Sequence, residues 1–493
     1  MSPRLIALTL AATAIVLSGC ASMDNLHPTG QTLKAADLKA LQTLSGVALS
    51  QNAWPKADWW KGFHDPQLDD LVTQALQSNP SLQVAEARTR QALAAASSYD
   101  ADRLPSLDAS ARYQGRRQPL DIDPMYGNRY IAQKSLGLDF TYGFDLWGGQ
   151  KAAWEAAVGR AQASEVDRQA ARLTLSAEIV QAYSSLGYAY VQRDLARDEL
   201  HRTQHMAQLS EHRWKSGLDS RVEYEQTESL VAGAEQQVTA AQQSINSIRI
   251  SLAALLGKGP DRGLAIDRPR LLPPHSLTLP STLPADLLGH RPDVVAAKLR
   301  VESAAKDIKV AKTRFYPNIN LSAGLGLTSM QTSDLLSAPA RFYSVSPALS
   351  LPLFDGGRLR ANLAGRDADY DLAVARYNQV LINALAQVGD SLQSLRSLKA
   401  RVQAQQRARD IAKSSYDLAM QRYGSGIGSY LQVLSVEQQL LQADKLLATL
   451  KSEQIDASLK LVQALGGGFK PHKAPLANTR HQARIALNSS QTD

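Results

Sequence analysis

The sequence predicts a duplicated α+β chain with long helices, whose strands can close only by pooling with further copies of the same chain. Three observations predict it. Landmark residues recur in the same order at offsets of 208–212 positions. Two segments in each copy alternate apolar and polar side chains over about ten residues, the period of a strand with one dry and one wet face. Two runs, Gln150 to Ser216 and Arg358 to Tyr423, contain no proline over 67 and 66 residues, which at about 1.5 Å per residue makes helices roughly 100 Å long.

The 493 residues include 44% hydrophobic and 20% charged side chains, a balance that supports a packed core and excludes wholesale disorder. The net charge of +8 is spread along the chain. Without a Lys/Arg block, no nucleic-acid patch is expected. No internal stretch reaches the roughly 18–20 apolar residues of a spanning helix. A closed barrel stays open, because alternating strands do not register as hydropathy peaks.

From the N-terminus, residues 1–19 read as a leader: Arg4 precedes an apolar run from Leu5 to Leu17, too short to span a bilayer. It ends in Leu17-Ser18-Gly19-Cys20, which resembles a bacterial lipobox with Cys20 as the lipidated residue. Cys20 is the only cysteine, so the mature chain has no disulfide and no thiolate metal site. Ala21 in second position resembles lipoproteins sorted to the outer membrane.

The repeat follows. Asn79-Pro80 matches Arg291-Pro292, Pro105 matches Pro317, Gly148-Gly149 matches Gly356-Gly357, the Gly217 segment matches the Gly426 segment, and Leu256-Gly257 matches Leu465-Gly466. The copies span 67–267 and 285–467, joined by a Pro-rich linker at 268–284. Strand pairs are expected at 105–146 and 317–354, with Pro347 and Pro352 marking a bulge or an edge in the last. Four strands cannot close a spanning barrel, and open edges are not tolerated in lipid, so several chains must pool them. Beside each long helix, a broken one is expected: 82–104 with 218–256, then 292–315 with 427–466. Val231, Ala234, Val238, Ala241, Ile245, Ile248, Leu252 and Leu255 step by three and four, the seam of a coiled coil, and the second copy repeats it from Leu440 to Ala464. Residues 468–493 read as a disordered tail.

In combination, the lipobox, the Trp59–Leu68 segment, Arg291-Pro292-Asp293, Phe315-Tyr316-Pro317, Phe354-Asp355-Gly356-Gly357 and the two Gly-marked hairpins resemble the TolC-like outer-membrane factors, in their lipoprotein branch. The resemblance implies a homotrimer in the bacterial outer membrane. Its 12-stranded β-barrel, four strands per chain, would continue into an α-helical coiled-coil periplasmic tunnel. Residues 20–66 would then form a lipidated segment and an equatorial wrap. Trp54, Trp59 and Trp60 read on their chemistry as aromatic anchors. The function implied is passive export of toxic small molecules, handed on by a periplasmic adaptor and an inner-membrane RND-type pump.

The resemblance also implies site roles. Arg213, Gly217, Arg422 and Gly426 would meet the adaptor at the hairpin tips, and Tyr423, Leu431, Ser435 and Gln438 would form the gate. Related lipoprotein channels often carry Asp and Arg where Ser435 and Gln438 stand, so a neutral, weaker constriction is expected here. Glu223 and Glu225 would add negative charge, and a carboxylate ring favours cations. No catalytic residue, resident metal or cofactor is expected. His201 and His205, one turn apart, read as a solvated face, and Asp367, Asp369 and Asp371 splay apart on a helix. The alternatives are a protein or metal-ion export channel, or a coiled-coil envelope lipoprotein without a pore.

Overall fold

The computed structural model describes residues 23–34, 38, 49–50, 54–117, 119, 130–270, 279–280 and 287–470. The expected leader, Cys20, most of the 268–284 linker and the tail beyond 470 lie outside the described residues.

Four strands form one antiparallel sheet: β1 (Ser106–Arg117), β2 (Tyr130–Phe144), β3 (Asn318–Ser329) and β4 (Arg341–Ser350), in spatial order β1-β2-β3-β4. The central β2–β3 ladder joins the two repeats. Register separates the faces, since directly paired residues share one. One face carries Leu107, Phe140, Leu138, Leu325, Tyr343 and Leu349; the other carries Ser106, Thr141, Ser322, Ser346, Asp139 and Gly324. Leu325 and Val345 are largely exposed in the isolated chain, so among the described residues no element of the same chain covers the apolar face. β1 and β4 end the sheet with unpaired edges. Pro347 sits opposite Leu321 in an unbroken register, in the strand that ends the sheet of one chain, the place in a sheet where proline is ordinarily found.

The strand pairs stop short of the expected 146 and 354, at Phe144 and Ser350. The following aspartates explain this. Asp145 accepts from the amides of Gln150 (3.0 Å) and Lys151 (2.9 Å), and Asp355 from those of Gly357 (3.0 Å) and Leu359 (2.7 Å), so the chain already turns there to start a helix.

Seven main helices are described: α1 (Pro66–Ser78), α2 (Pro80–Ala101), α3 (Gly149–Lys215), α4 (Arg221–Leu255), α5 (Pro292–Thr313), α6 (Arg358–Gly424) and α7 (Tyr430–Ala464). Lengths repeat between the halves: 22 residues for α2 and α5, 67 for α3 and α6, 35 for α4 and α7. Among the described residues, no helix is long and apolar enough to cross a membrane. Pro80 and Pro292 each occupy the first helical turn, where proline's missing N–H is no loss. The seam positions of α4 and α7 are buried or half-buried throughout, as coiled-coil packing requires.

Helix α1 was not expected. Asp65, 4% exposed, caps it through Gln67 N (3.0 Å) and accepts from the Tyr183 hydroxyl (2.9 Å) and the Arg270 amide (2.8 Å). Leu68, Leu71 and Val72 then pack with Tyr183, Ile179 and Leu186 of α3 and Leu252 of α4, and Trp59 and Trp60 cover that core. Trp54 stacks on His290 at 3.8 Å between ring centres. Trp59 and Trp60 are therefore internal anchors around the middle of α3, while Trp54 packs against Val388, Leu392 and Leu461 of α6 and α7.

Residues 23–34 lie along α6. Thr29 N (3.0 Å), the Thr29 hydroxyl (2.7 Å) and Gly30 N (2.7 Å) all donate to Asp371, and Leu33 N donates to Asn378 (2.8 Å). Met23 and Leu26 pack with Leu359 and Leu363, just below the sheet.

A sheet that walls a membrane responds to charge on one face only. Leu325→Lys should cost roughly 2–4 kcal/mol and Ser322→Lys little. Thermal melting of the detergent-extracted assembly checks this, and equal melting points for the two variants would count against the assignment of faces.

Candidate functional site

The far ends of the long helices carry the residues expected to form the site. Each pair, α3–α4 and α6–α7, is a hairpin with the same turn. Arg213 O accepts from Leu218 N (2.9 Å) and Arg422 O from Ile427 N (3.0 Å). Gly217 (φ 74°) and Gly426 (φ 77°) occupy the left-handed position that closes the helix, with nothing within 4 Å of an added Cβ. Backbone angle, not space, is what requires glycine there. Ser220 and Ser429 cap the returning helices. Leu218, Ile427 and Leu431 are 69%, 74% and 71% exposed, which makes the tips unusually apolar.

Symmetry ends at Asp219, whose counterpart in the second repeat is Gly428. The Asp219 carboxylate accepts from Arg213 Nε (3.0 Å) and from the Tyr423 hydroxyl on the other hairpin (2.9 Å). The Arg213 guanidinium also lies 4.7 Å from the centre of the Tyr423 ring. Tyr423 is 1% exposed and packs with Met206, Ala419, Tyr430 and Val433. Burial, reinforced by the Asp219 carboxylate, pushes its phenol up from the ordinary value. A deprotonated tyrosine would lose its bond to a carboxylate, so the phenol stays a donor.

The expected site residues thus divide. Arg213 and Tyr423 meet through Asp219, which sequence reasoning did not single out. Its only signal was an acid breaking the duplication two residues after the tip glycine. Arg422, at the position equivalent to Arg213, is exposed. Leu431, Ser435 and Gln438 stand exposed on the first turns of α7. Glu223 is engaged in its helix's capping box with Ser220 (2.7 Å), and Glu225 pairs with Arg221 (2.8 Å). Among the described residues, no group of three or more His, Cys, Asp or Glu is placed to hold a metal. His201 and His205 are exposed on α3.

Comparison with known proteins gives a family. A family model described as "Outer membrane efflux protein" matches residues 71–258 and 283–467, covering both repeats. The fusaric acid resistance protein FusA of Burkholderia cepacia is 38% identical over 373 residues, 74% of this chain and 69% of that protein. The pyoverdine export outer membrane protein OpmQ of Pseudomonas aeruginosa is 32% identical over 429 residues, 85% of this chain and 89% of its own. Among solved structures, the outer membrane protein VceC of Vibrio cholerae superposes with a TM-score of 0.79 at 35% identity, covering 85% of this chain and 100% of that one. The outer-membrane channel OprN gives 0.81 at 29% identity, covering 89% and 99%.

Removing the shared acceptor should loosen both tips at once. Asp219→Ala leaves a partly buried guanidinium and a buried phenol without their acceptor, at a cost of roughly 1–3 kcal/mol, and Tyr423→Phe costs about 1 kcal/mol. Amide hydrogen exchange should speed up around 213–224 and 421–433 in Asp219→Ala and stay unchanged in the belt around α1.

Proposed function

The chain belongs to the outer membrane efflux protein family, and on that footing we propose how its parts divide the work of export. It is an outer-membrane channel of a tripartite efflux system, not an enzyme. Three chains contribute twelve strands to one barrel and their long helices to a tunnel that reaches into the periplasm. Such channels work with a periplasmic adaptor and an inner-membrane pump. Cargo moves through without reacting, so the chain's chemistry is confined to sealing, anchoring and gating.

The observation that carries this reading is the sheet: one apolar face, one face of serine, threonine, aspartate and glycine, and two unpaired edges. A pore-less coiled-coil lipoprotein gives no reason for an uncovered apolar sheet face.

Gating falls to the tips. The Asp219–Tyr423 bond ties the first hairpin to the second, and with Arg213 it holds the mouth narrow. Leu431 supplies an apolar collar there, with Ser435 and Gln438 as neutral polar residues behind it and Glu223 and Glu225 lending negative charge. Adaptor contact falls to the exposed apolar turn around Gly217 and Gly426, with Arg422 beside it. Arg213 touches the adaptor only once its bond to Asp219 has broken. The partner pump is of the RND type.

Anchoring falls to Cys20. It stands three residues before Met23, and so within about 10 Å of it along an extended chain. Met23 itself packs at the foot of the barrel. An acyl chain on Cys20 therefore reaches the inner leaflet of the outer membrane.

Two measurements test these roles. In planar bilayers, Asp219→Ala should raise single-channel conductance several-fold over the native protein, and an unchanged conductance would remove the lock. Palmitate labelling should mark the native chain and vanish in Cys20→Ser; a native chain that takes up no label would end the lipoprotein reading.

A further inference from the structure

A second contact joins the hairpins deeper in the tunnel wall, and it is built unlike the first. Glu437, on the second turn of α7, is 2% exposed. It faces Arg202 of α3 at 3.7 Å, too far for a hydrogen bond, and both its Oε1 and the Arg202 Nε are buried without a hydrogen-bond partner. The Arg202 guanidinium is already committed to Glu199, one turn earlier on α3, at 2.6 Å. The remaining titratable groups at this junction are Tyr416 of α6 and Tyr430 of α7.

Duplication sharpens the contrast. The residue equivalent to Glu437 in the first repeat is Glu228, which is exposed, and the residue equivalent to Arg202 in the second is Ile411, also exposed. The cluster therefore belongs to the α3–α7 seam alone.

An ionised carboxylate here is short of hydrogen bonds and held away from water. Its one cation is shared with a nearer acid. A neutral carboxyl suits the same site, because it carries no charge to desolvate. We propose that Glu437 is a proton-operated latch between the hairpins: protonated, it lets α3 and α7 pack shut, and ionised, it draws water into the seam and favours their separation. The inference rests on the channel reading and adds a regulatory input to it, the pH of the periplasmic compartment.

The sign follows from linkage. Burial, with the Glu199 charge adding to it and Arg202 opposing, pushes the packed-state carboxyl up to about 7, against 4.5 for a hydrated glutamate. The packed state therefore holds the proton more tightly. Packing is fully favoured below about pH 4.5, weakens as pH rises toward 7, and is constant above. Across that window the ratio of separated to packed hairpins changes by up to about tenfold per pH unit.

The test uses the full-length channel in planar bilayers, with open probability recorded from pH 5 to 8. Spin-label distances between Lys215→Cys on α3 and Gln432→Cys on α7 serve as a second readout. The native channel should open more as pH rises to 7 and then level off. Glu437→Gln, which mimics the protonated side chain, should stay at the acid level throughout. Arg202→Gln should move the transition to higher pH, because it removes the opposing cation. A native channel that conducts with no pH dependence, a Glu437→Gln channel that keeps the dependence, or an Arg202→Gln channel with an unmoved midpoint would each overturn the latch. Absence of conductance at every pH would instead overturn the channel reading on which it rests.

Discussion

A strand at the edge of a sheet offers a row of amides and carbonyls that hydrocarbon cannot hydrate, and β1 and β4 each present one. Four strands are too few for one chain to bend round and pair its own edges within a membrane. The whole architecture answers to this shortage. β1 of one chain must meet β4 of the next, and the ring closes when the third copy returns to the first. The helices beneath inherit that arrangement, because Asp145 and Asp355 turn the strand ends directly into α3 and α6. A membrane wall and a tunnel are therefore one continuous object, set by how the sheet closes.

Legibility in the sequence follows from which positions the backbone constrains. Gly217 and Gly426 must adopt a left-handed turn, and Pro80 and Pro292 open helices at matching places. Such residues survive duplication visibly, so the offset near 209 could be read directly, and helix lengths came out within a few residues. The two-faced strands were legible for a similar reason: register fixes the faces, and faces fix the alternation.

Tertiary asymmetry was far less legible. Arg213 and Arg422 look equivalent along the chain, yet the first is folded onto Asp219 and Tyr423 while the second stays in solvent. Glu228 and Glu437 are likewise equivalent by repeat and opposite in burial. Local pattern specifies a helix and its seam, but it does not specify which hairpin leans on which. Helix α1 escaped notice because it precedes the first landmark pair of the repeat, Asn79-Pro80 and Arg291-Pro292, so the duplication gave it no signal, although Asp65-Pro66 is a strong start.

The unlike edges of the sheet carry a genetic consequence. Head-to-tail closure makes each subunit responsible for two joints, so a copy damaged at either β1 or β4 spoils a ring that also contains sound copies. In a cell making sound and damaged chains in equal amounts, and mixing them freely, only roughly one ring in eight escapes. Alleles of this kind are expected to be dominant, while simple loss of the gene is recessive.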